Sequence, residues 1–196
     1  MTQALRLTLS EQQPTSDQTV IRRIAAGDED ALRELFGMHG QVMSAFALRL
    51  TGDPVLADEV VQESLVAAWQ GARRFRGDSR VRTWLLGIVH HKAINLLRKR
   101  TDVSIEEGVL DLAAAAETPG RQVEDSDRQR IMRSAIDRLP VEQRAVLDLF
   151  FYQGYRMDEI AAILDCPTGT VKSRLFNART ALKGILIRTG IELEDL

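Results

Sequence analysis

Cysteine occurs once in the chain, at Cys166. A single thiol excludes an internal disulfide and a multi-cysteine zinc site. Its expected place is that of a small buried hydrophobe at a helix turn, with a redox sensor as the alternative. Prolines number five, and runs of β-branched or aromatic residues are scarce, so almost every segment outside the tails reads as helix. Long apolar runs are missing too: the longest, Trp84 to Val89, is far too short to span a bilayer. The amino terminus, MTQALRLTLSEQQPTSDQT, has no apolar core of the signal-peptide kind. No membrane insertion is expected, and the expected location is cytoplasmic. Catalytic signatures are absent as well. No Gly-rich phosphate loop or HExxH motif is present, and no Ser or Cys sits in a recognisable nucleophile setting. Neither an enzyme nor a cofactor is expected. His90 and His91 are adjacent and point to different faces, so they do not read as a metal pair.

What is present is ordinary in amount, with 44% apolar and 28% charged residues, but unusual in arrangement. The net charge of −2 averages over blocks of opposite sign. Residues 51–70 hold four acids and no base, and residues 71–100 nine bases and one acid. Residues 101–127 hold eight acids and one base, and residues 168–188 five bases and no acid. Two basic blocks around an acidic one suggest two polyanion-binding surfaces, where Lys and Arg neutralise phosphates and release counterions.

Apolar residues recur at helical spacing over 17–27 and 28–50, with Asp28 a candidate cap for the second helix. TGDP at 51–54 breaks the pattern, with Asp53 as cap and Pro54 in the first turn of the next helix. That helix runs to about Arg74 and places Ala57, Val61, Leu65 and Ala68 on one stripe. Asp58, Glu59, Gln62 and Glu63 lie on another face. FRGDS at 75–79 reads as a turn, and a helix from about Val81 to Arg100 follows. Its stripe is Leu85, Val89, Ala93 and Leu97; His91, Asn95 and Arg98 share a polar side. Residues 101–127 lack sustained amphipathicity and read as an extended or mobile acidic linker. Helical periodicity resumes over 128–139, 141–152, 157–164 and 169–187. The expected fold is all-α: two small helical domains, 17–100 and 128–190, joined by the linker, with a polar tail at 1–16 and an acidic tail at 191–196.

The last two helices carry the most specific pattern. Ile160, Ala161 and Leu164 point inward from the first; DCPTG (165–169) is a tight connection, with Pro167 and Gly169 enforcing the turn. Val171, Leu175, Ala178 and Leu182 then form one apolar stripe. The other side carries Lys172, Ser173, Phe176, Asn177, Arg179 and Lys183, flanked by Arg174. This is a helix-turn-helix whose second helix suits a major groove. Its amino terminus and Thr170 can meet a phosphate, and Asn, Arg and Ser can hydrogen-bond base edges. The bland alternative, an αα-hairpin with a solvated basic face, does not account for five bases without an acid.

Two stretches, ADEVVQESLVAAWQGARRFRGDSRVRTWLLGIVHHKAINLLRKR (57–100) and LPVEQRAVLDLFFYQGYRMDEIAAILDCPTGTVKSRLFNAR (139–179), together resemble bacterial RNA polymerase sigma factors. The resemblance is to the extracytoplasmic-function (ECF) group of the sigma-70 family. It implies that Asp58, Glu59, Gln62 and Glu63 dock on the clamp helices of core RNA polymerase, although a solvated acidic face would look the same. It implies that Phe75, Arg76 and Ser79 belong to a loop capturing a base flipped from the −10 promoter element, where an aromatic suits an unstacked base; the alternative is that Phe75 plugs the domain core. Arg80, Trp84, His91, Asn95, Arg98 and Lys99 fall on the helix that reads the upstream edge of that element. Trp84 is either core or a wedge against the duplex edge. His91 stands where close relatives often carry asparagine. Thr170, at the start of the second helix, joins Lys172, Ser173, Arg174, Phe176, Asn177 and Arg179 as residues facing the −35 element; Asn177 occupies a frequent arginine position. The linker resembles the segment passing through the polymerase's RNA exit path, its charge mimicking nucleic acid. The family also implies a cognate anti-sigma factor.

A stand-alone operator-binding regulator would explain the helix-turn-helix but neither the acidic docking face nor the basic block of the first domain. A pure adaptor or sigma antagonist would not carry two basic surfaces. The reading that accounts for all blocks is a sigma factor that binds core RNA polymerase and directs promoter-specific initiation.

Overall fold

A computed structural model describes residues 16–106 and 127–189, and among these every regular element is helical. Six residues of the expected linker continue the helix before them, while Ser16 of the expected tail and Asp127 of the linker open helices; 1–15, 107–126 and 190–196 lie outside the described residues.

The amino-terminal unit holds α1 (Ser16–Ala25), α2 (Glu29–Thr51), α3 (Pro54–Gly71) and α4 (Val81–Glu106). Its boundaries are chemical. The Asp28 carboxylate accepts from the backbone N–H groups of Asp30 and Ala31 at 2.9 and 3.2 Å, satisfying two of the orphan donors that open α2. Gly52 ends α2 at φ 70°, a left-handed cap that returns its N–H to the Leu48 carbonyl. Asp53 then caps α3 by accepting from Val55 and Leu56, with Pro54 in the first turn, where its missing N–H costs nothing. One turn of 3₁₀ helix, Ala72–Arg74, tightens the end of α3. The core between these helices is built from Leu35, Met43, Phe46, Leu50, Val60, Leu85, Leu86 and Val89, all buried. Burying each large side chain of this kind contributes about 1.5–3 kcal/mol before the entropy of ordering it.

The carboxy-terminal unit holds α5 (Asp127–Asp137), α6 (Val141–Leu147), α7 (Met157–Ile163) and α8 (Thr168–Arg188). The periodicity over 141–152 predicts one helix, but α6 gives way to a π-helical turn over Asp148–Tyr152. The widened turn is where Asp148, 2% exposed, enters an otherwise apolar interior. The α7–α8 connection also differs in detail from the expected one. Gly169 already lies in the first turn of α8, and the left-handed residue is Asp165 at φ 48°. Aspartate tolerates that conformation better than most non-glycine residues. The Cys166 N–H returns to the Ala161 carbonyl across this turn, and the thiol is half-buried. Val171, Leu175, Ala178 and Leu182 all face the core, as their spacing predicts.

The units also touch, which periodicity does not foretell. α2 packs on α6, α4 packs on α7, and the buried apolar residues of both units join in one cluster.

Candidate polymerase and nucleic-acid interfaces

On α3 the buried residues Ala57, Val61, Ser64 and Ala68 leave Asp58, Glu59, Gln62 and Glu63 on the exposed side. The last is not a free charge. Its Oε2 accepts from the Lys92 ammonium of α4 at 2.7 Å, and that hydrogen bond holds the Glu63 carboxyl below its usual range. Glu59, Val60 and Glu63 of α3 and Lys92, Asn95, Leu96 and Lys99 of α4 line one groove. Two acids of the docking set therefore border the same groove as Asn95 and Lys99 of the DNA-reading set. Lys92, which sequence reasoning did not single out, joins them.

At the other end of α3, Phe75 and Trp84 pack with ring centroids 4.9 Å apart and planes tilted by 42°. Both are half-buried and packed against the core, each leaving part of its ring at the surface. The pair makes the core contact of one alternative while both residues keep part of their surface accessible. Gly71 makes room for it, since a Cβ there would lie 3.3 Å from the indole. Gly77, at φ 80°, turns the loop that follows. The loop is anchored from the other side by Arg73, whose Nε donates to the Ala25 carbonyl at 3.0 Å. Arg76 and Arg80 are exposed and Ser79 is half-buried. Further along α4, His91, Arg98 and Lys99 are exposed and Asn95 is half-buried. The neighbouring His90 turns the other way. Burial, helped by the Arg174 charge, lowers its pKa to about 4, and its Nε2 has no hydrogen-bond partner.

In the second unit α8 presents Lys172, Ser173, Phe176, Asn177 and Arg179 to solvent, with Phe176 70% exposed. Ser173 donates its hydroxyl proton to the Thr170 carbonyl, leaving its lone pairs outward. Thr170 is half-buried. Arg174 departs from the set: it is half-buried and reaches back to within 3.9 Å of the Cys166 sulfur. Among the described residues no helix is long and apolar enough to cross a membrane.

Comparison with known proteins agrees with this geometry. Sigma-70 region 2 matches residues 35–103, and Sigma-70, region 4 matches residues 129–182. The RNA polymerase sigma-H factor of Pseudomonas aeruginosa is 31% identical, over 85% of this chain and 91% of its own length. The ECF RNA polymerase sigma-E factor of Escherichia coli K12 is 33% identical, over 89% of this chain and 95% of its own. Among solved structures, the sigma factor RpoE of Bartonella quintana, in complex with the anti-sigma factor NepR, superposes with a TM-score of 0.65 at 28% identity. That match covers 79% of this chain and 95% of that one. CnrH, in complex with the cytosolic domain of CnrY, gives a TM-score of 0.61 at 25% identity, over 88% of this chain and 97% of that one. The matched residues take in both the α3–α4 groove and the exposed face of α8. The chain belongs to the sigma-70 family of RNA polymerase sigma factors, within its extracytoplasmic-function group.

Proposed function

We propose a division of labour within the sigma factor in which Asp58, Glu59, Gln62 and Glu63 dock on the polymerase clamp helices. The loop and helix beside them, through Phe75, Arg76, Ser79, Arg80, Trp84, His91, Asn95, Arg98 and Lys99, then open and hold the −10 region. α8 grips the −35 duplex with Thr170, Lys172, Ser173, Phe176, Asn177 and Arg179, while Arg174 orders the turn behind them. The observation that carries this reading is the shared groove. Polymerase-facing acids and strand-facing Asn95 and Lys99 line one surface, so docking and strand capture occur side by side. The Phe75–Trp84 pair, elsewhere on α4 and the loop before it, suits an unstacked base, a contact worth about 1–3 kcal/mol. The phosphodiester chemistry belongs to the polymerase, which sets the site of action in the cytoplasm. The solved relatives with anti-sigma partners support the further reading that this chain is also held by one.

Run-off transcription with purified core polymerase on a pooled promoter library tests the assignment. Discrete starts that require the chain are expected, and the charge reversals of the docking acids described below abolish them. Tight specific binding to duplex DNA by the chain alone, with no initiation, overturns it in favour of a stand-alone regulator.

A further inference from the structure

Five arginines gather where α1 meets the end of α3 and the loop after it, and the DNA-contact assignments use only Arg76 among them. α1 packs on the 3₁₀ turn, and two contacts set its direction. At one end the Arg73 Nε donates to the Ala25 carbonyl at 3.0 Å. At the other, the Gln18 amide nitrogen lies 3.6 Å from where a Cβ on Gly77 would stand. Gln18, Arg22 and Ala25 are spaced i, i+4 and i+7, so they share one face of the helix. Arg22 therefore lies between the two contacts, beside the segment that carries Arg73, Arg74 and Arg76. The fifth arginine, Arg23, is occupied, since Asp28 and Glu34 accept from it at 2.8 and 2.6 Å. The other four are exposed, and none of them pairs with a carboxylate among the described residues. Asp78, the one acid of the 75–79 loop, is exposed as well.

Two of the four guanidiniums are held in place. Arg22 donates from Nε to the Gln18 carbonyl at 3.4 Å, as Arg73 does to Ala25. Each bond uses the inner N–H and leaves the outer fork unengaged, the part that matches the paired oxygens of a phosphate. The carboxy-terminal carbonyls of α1 favour Arg22 and Arg73. They do not account for Arg74 and Arg76, which only add to the repulsion unless an anion joins the group. We propose that Arg22, Arg73, Arg74 and Arg76 form a phosphate track for single-stranded DNA, continuing the strand past the base held at Phe75. The proposal rests on the reading of Phe75 as a base-capturing residue. A strand with one base held there has two arms. The upstream arm follows α4 and its Arg80, Asn95 and Lys99, and the downstream arm leaves on the other side of Phe75, where the track begins. From Gln18 to Ala25 α1 rises about 10 Å, a length that spans about two to three phosphates. α1 precedes residues 35–103, so the region 2 match gives Arg22 no role.

The test uses the full chain assembled with core polymerase, and single-stranded oligonucleotides carrying the −10 sequence recovered from the promoter library. One oligonucleotide ends just downstream of the captured base, and the other continues past it. Arg22→Gln with Arg74→Gln should weaken binding of the longer one about tenfold and lower its salt slope by about 0.7 per arginine. Binding of the shorter one and the melting temperature should not change, because both side chains are exposed. Arg22→Lys with Arg74→Lys should keep the salt slope. Neutral methylphosphonate linkages just past the captured base should weaken the parent and not the glutamine variant, which separates these arginines from contacts made by the polymerase. Equal loss on both oligonucleotides, or an unchanged salt slope, overturns the track. Phe75→Ala keeps the two readings apart, since it should weaken both oligonucleotides. If it weakens neither, base capture fails; if it weakens both while the glutamine variant weakens neither, the track alone fails.

Discussion

In the amino-terminal unit the assigned reading residues are tied to neighbours: Phe75 to Trp84, Asn95 and Lys99 to a groove shared with Glu63 and Lys92. In the carboxy-terminal unit three of them stand free. Lys172, Asn177 and Arg179 are exposed and take part in none of the hydrogen bonds or ion pairs among the described residues. The difference matches the two tasks. A duplex groove is already formed, so its reader needs only donors at helical spacing on a rigid rod. Strand separation needs a preformed surface that replaces base stacking, and such a surface has to be braced from behind. Substitutions in the first unit should therefore mix stability with function, whereas those on α8 should separate them.

The largest effect should come from reversing the docking charges that touch no structural partner. Asp58→Lys with Glu59→Lys is expected to lower initiation about 100-fold or more by placing like charges on the basic clamp surface. The melting temperature should be nearly unchanged, because both side chains are exposed. Competition for core polymerase against the parent chain measures the loss. Equal competition would return the acidic face to a merely solvated one.

Phe75→Ala comes next and tests the mixing directly. Losing the stack on Trp84 should cost about 1 kcal/mol of stability beyond the lost burial. Losing a stacked base should cost roughly 10- to 100-fold in open-complex formation. If the defect disappears when assayed well below the melting temperature, Phe75 is only a plug. If it persists, and persists on a template already opened over the −10 region, the ring meets a base.

On α8 the comparison predicts clean separation. Asn177→Ala should cost about 1–3 kcal/mol at the base pair it reads and relax preference there. Lys172→Ala should weaken binding to all sequences alike and reduce the salt slope by about one. Neither should move the melting temperature. Selection from a randomised −35 library at two salt concentrations distinguishes them.

These contrasts also explain what the chain reveals before it folds. The α8 stripe, the Asp28 and Asp53 caps and the basic face of the helix-turn-helix are legible because each depends on local spacing. Asp28 sits two and three residues from the N–H groups it satisfies, and Val171, Leu175, Ala178 and Leu182 obey one period. Phe75 against Trp84 was half legible: both were candidates, but their contact joins a loop to the next helix. The Arg144 contact with the Leu50 carbonyl is not legible, since donor and acceptor stand 94 residues apart. The one local clue is Asp148, an acid inside the apolar run AVLDLFF, which lies buried at the start of the π turn. Arg174 is legible as part of the basic face, but its reach toward the Cys166 sulfur depends on how the 165–169 turn closes.

The seam between the units should respond to acid. Burial, with the charges of Arg174 of α8 and adjacent His91 and against the raising effect of Glu142 of α6, lowers the His90 pKa from 6.5 to about 4. Once the units part, His90 regains water and an ordinary pKa. The open form then binds the proton more readily, so this contribution to closure is complete above pH 6.5 and is lost as the pH falls toward 4. Asp148, raised by burial, works in the opposite sense at the acid end. Between pH 7.5 and 5.5 the open fraction should rise about tenfold. His90→Gln should flatten the dependence, and a slope unchanged by that substitution would assign it elsewhere.

The smallest effect concerns the Glu63–Lys92 bridge and decides how docking meets reading. An exposed pair of this kind adds little to stability, so Glu63→Gln and Lys92→Gln should leave the melting temperature alone. Their functional signatures should differ. If the clamp surface takes over Glu63, the Lys92 ammonium is released beside Asn95 and Lys99, where a phosphate can receive it. Lys92→Gln should then leave core affinity intact and lower promoter affinity within about threefold, reducing the salt slope by about one. Glu63→Gln should weaken core affinity while making promoter binding slightly tighter and more sensitive to salt, because Lys92 no longer has to be drawn away from a carboxylate. The double variant is the decisive measurement. If its effect on promoter binding equals the product of the two singles, the bridge only fills a groove. If the Lys92→Gln loss changes when Glu63 is already neutral, the acid that meets polymerase also gates the base that meets DNA.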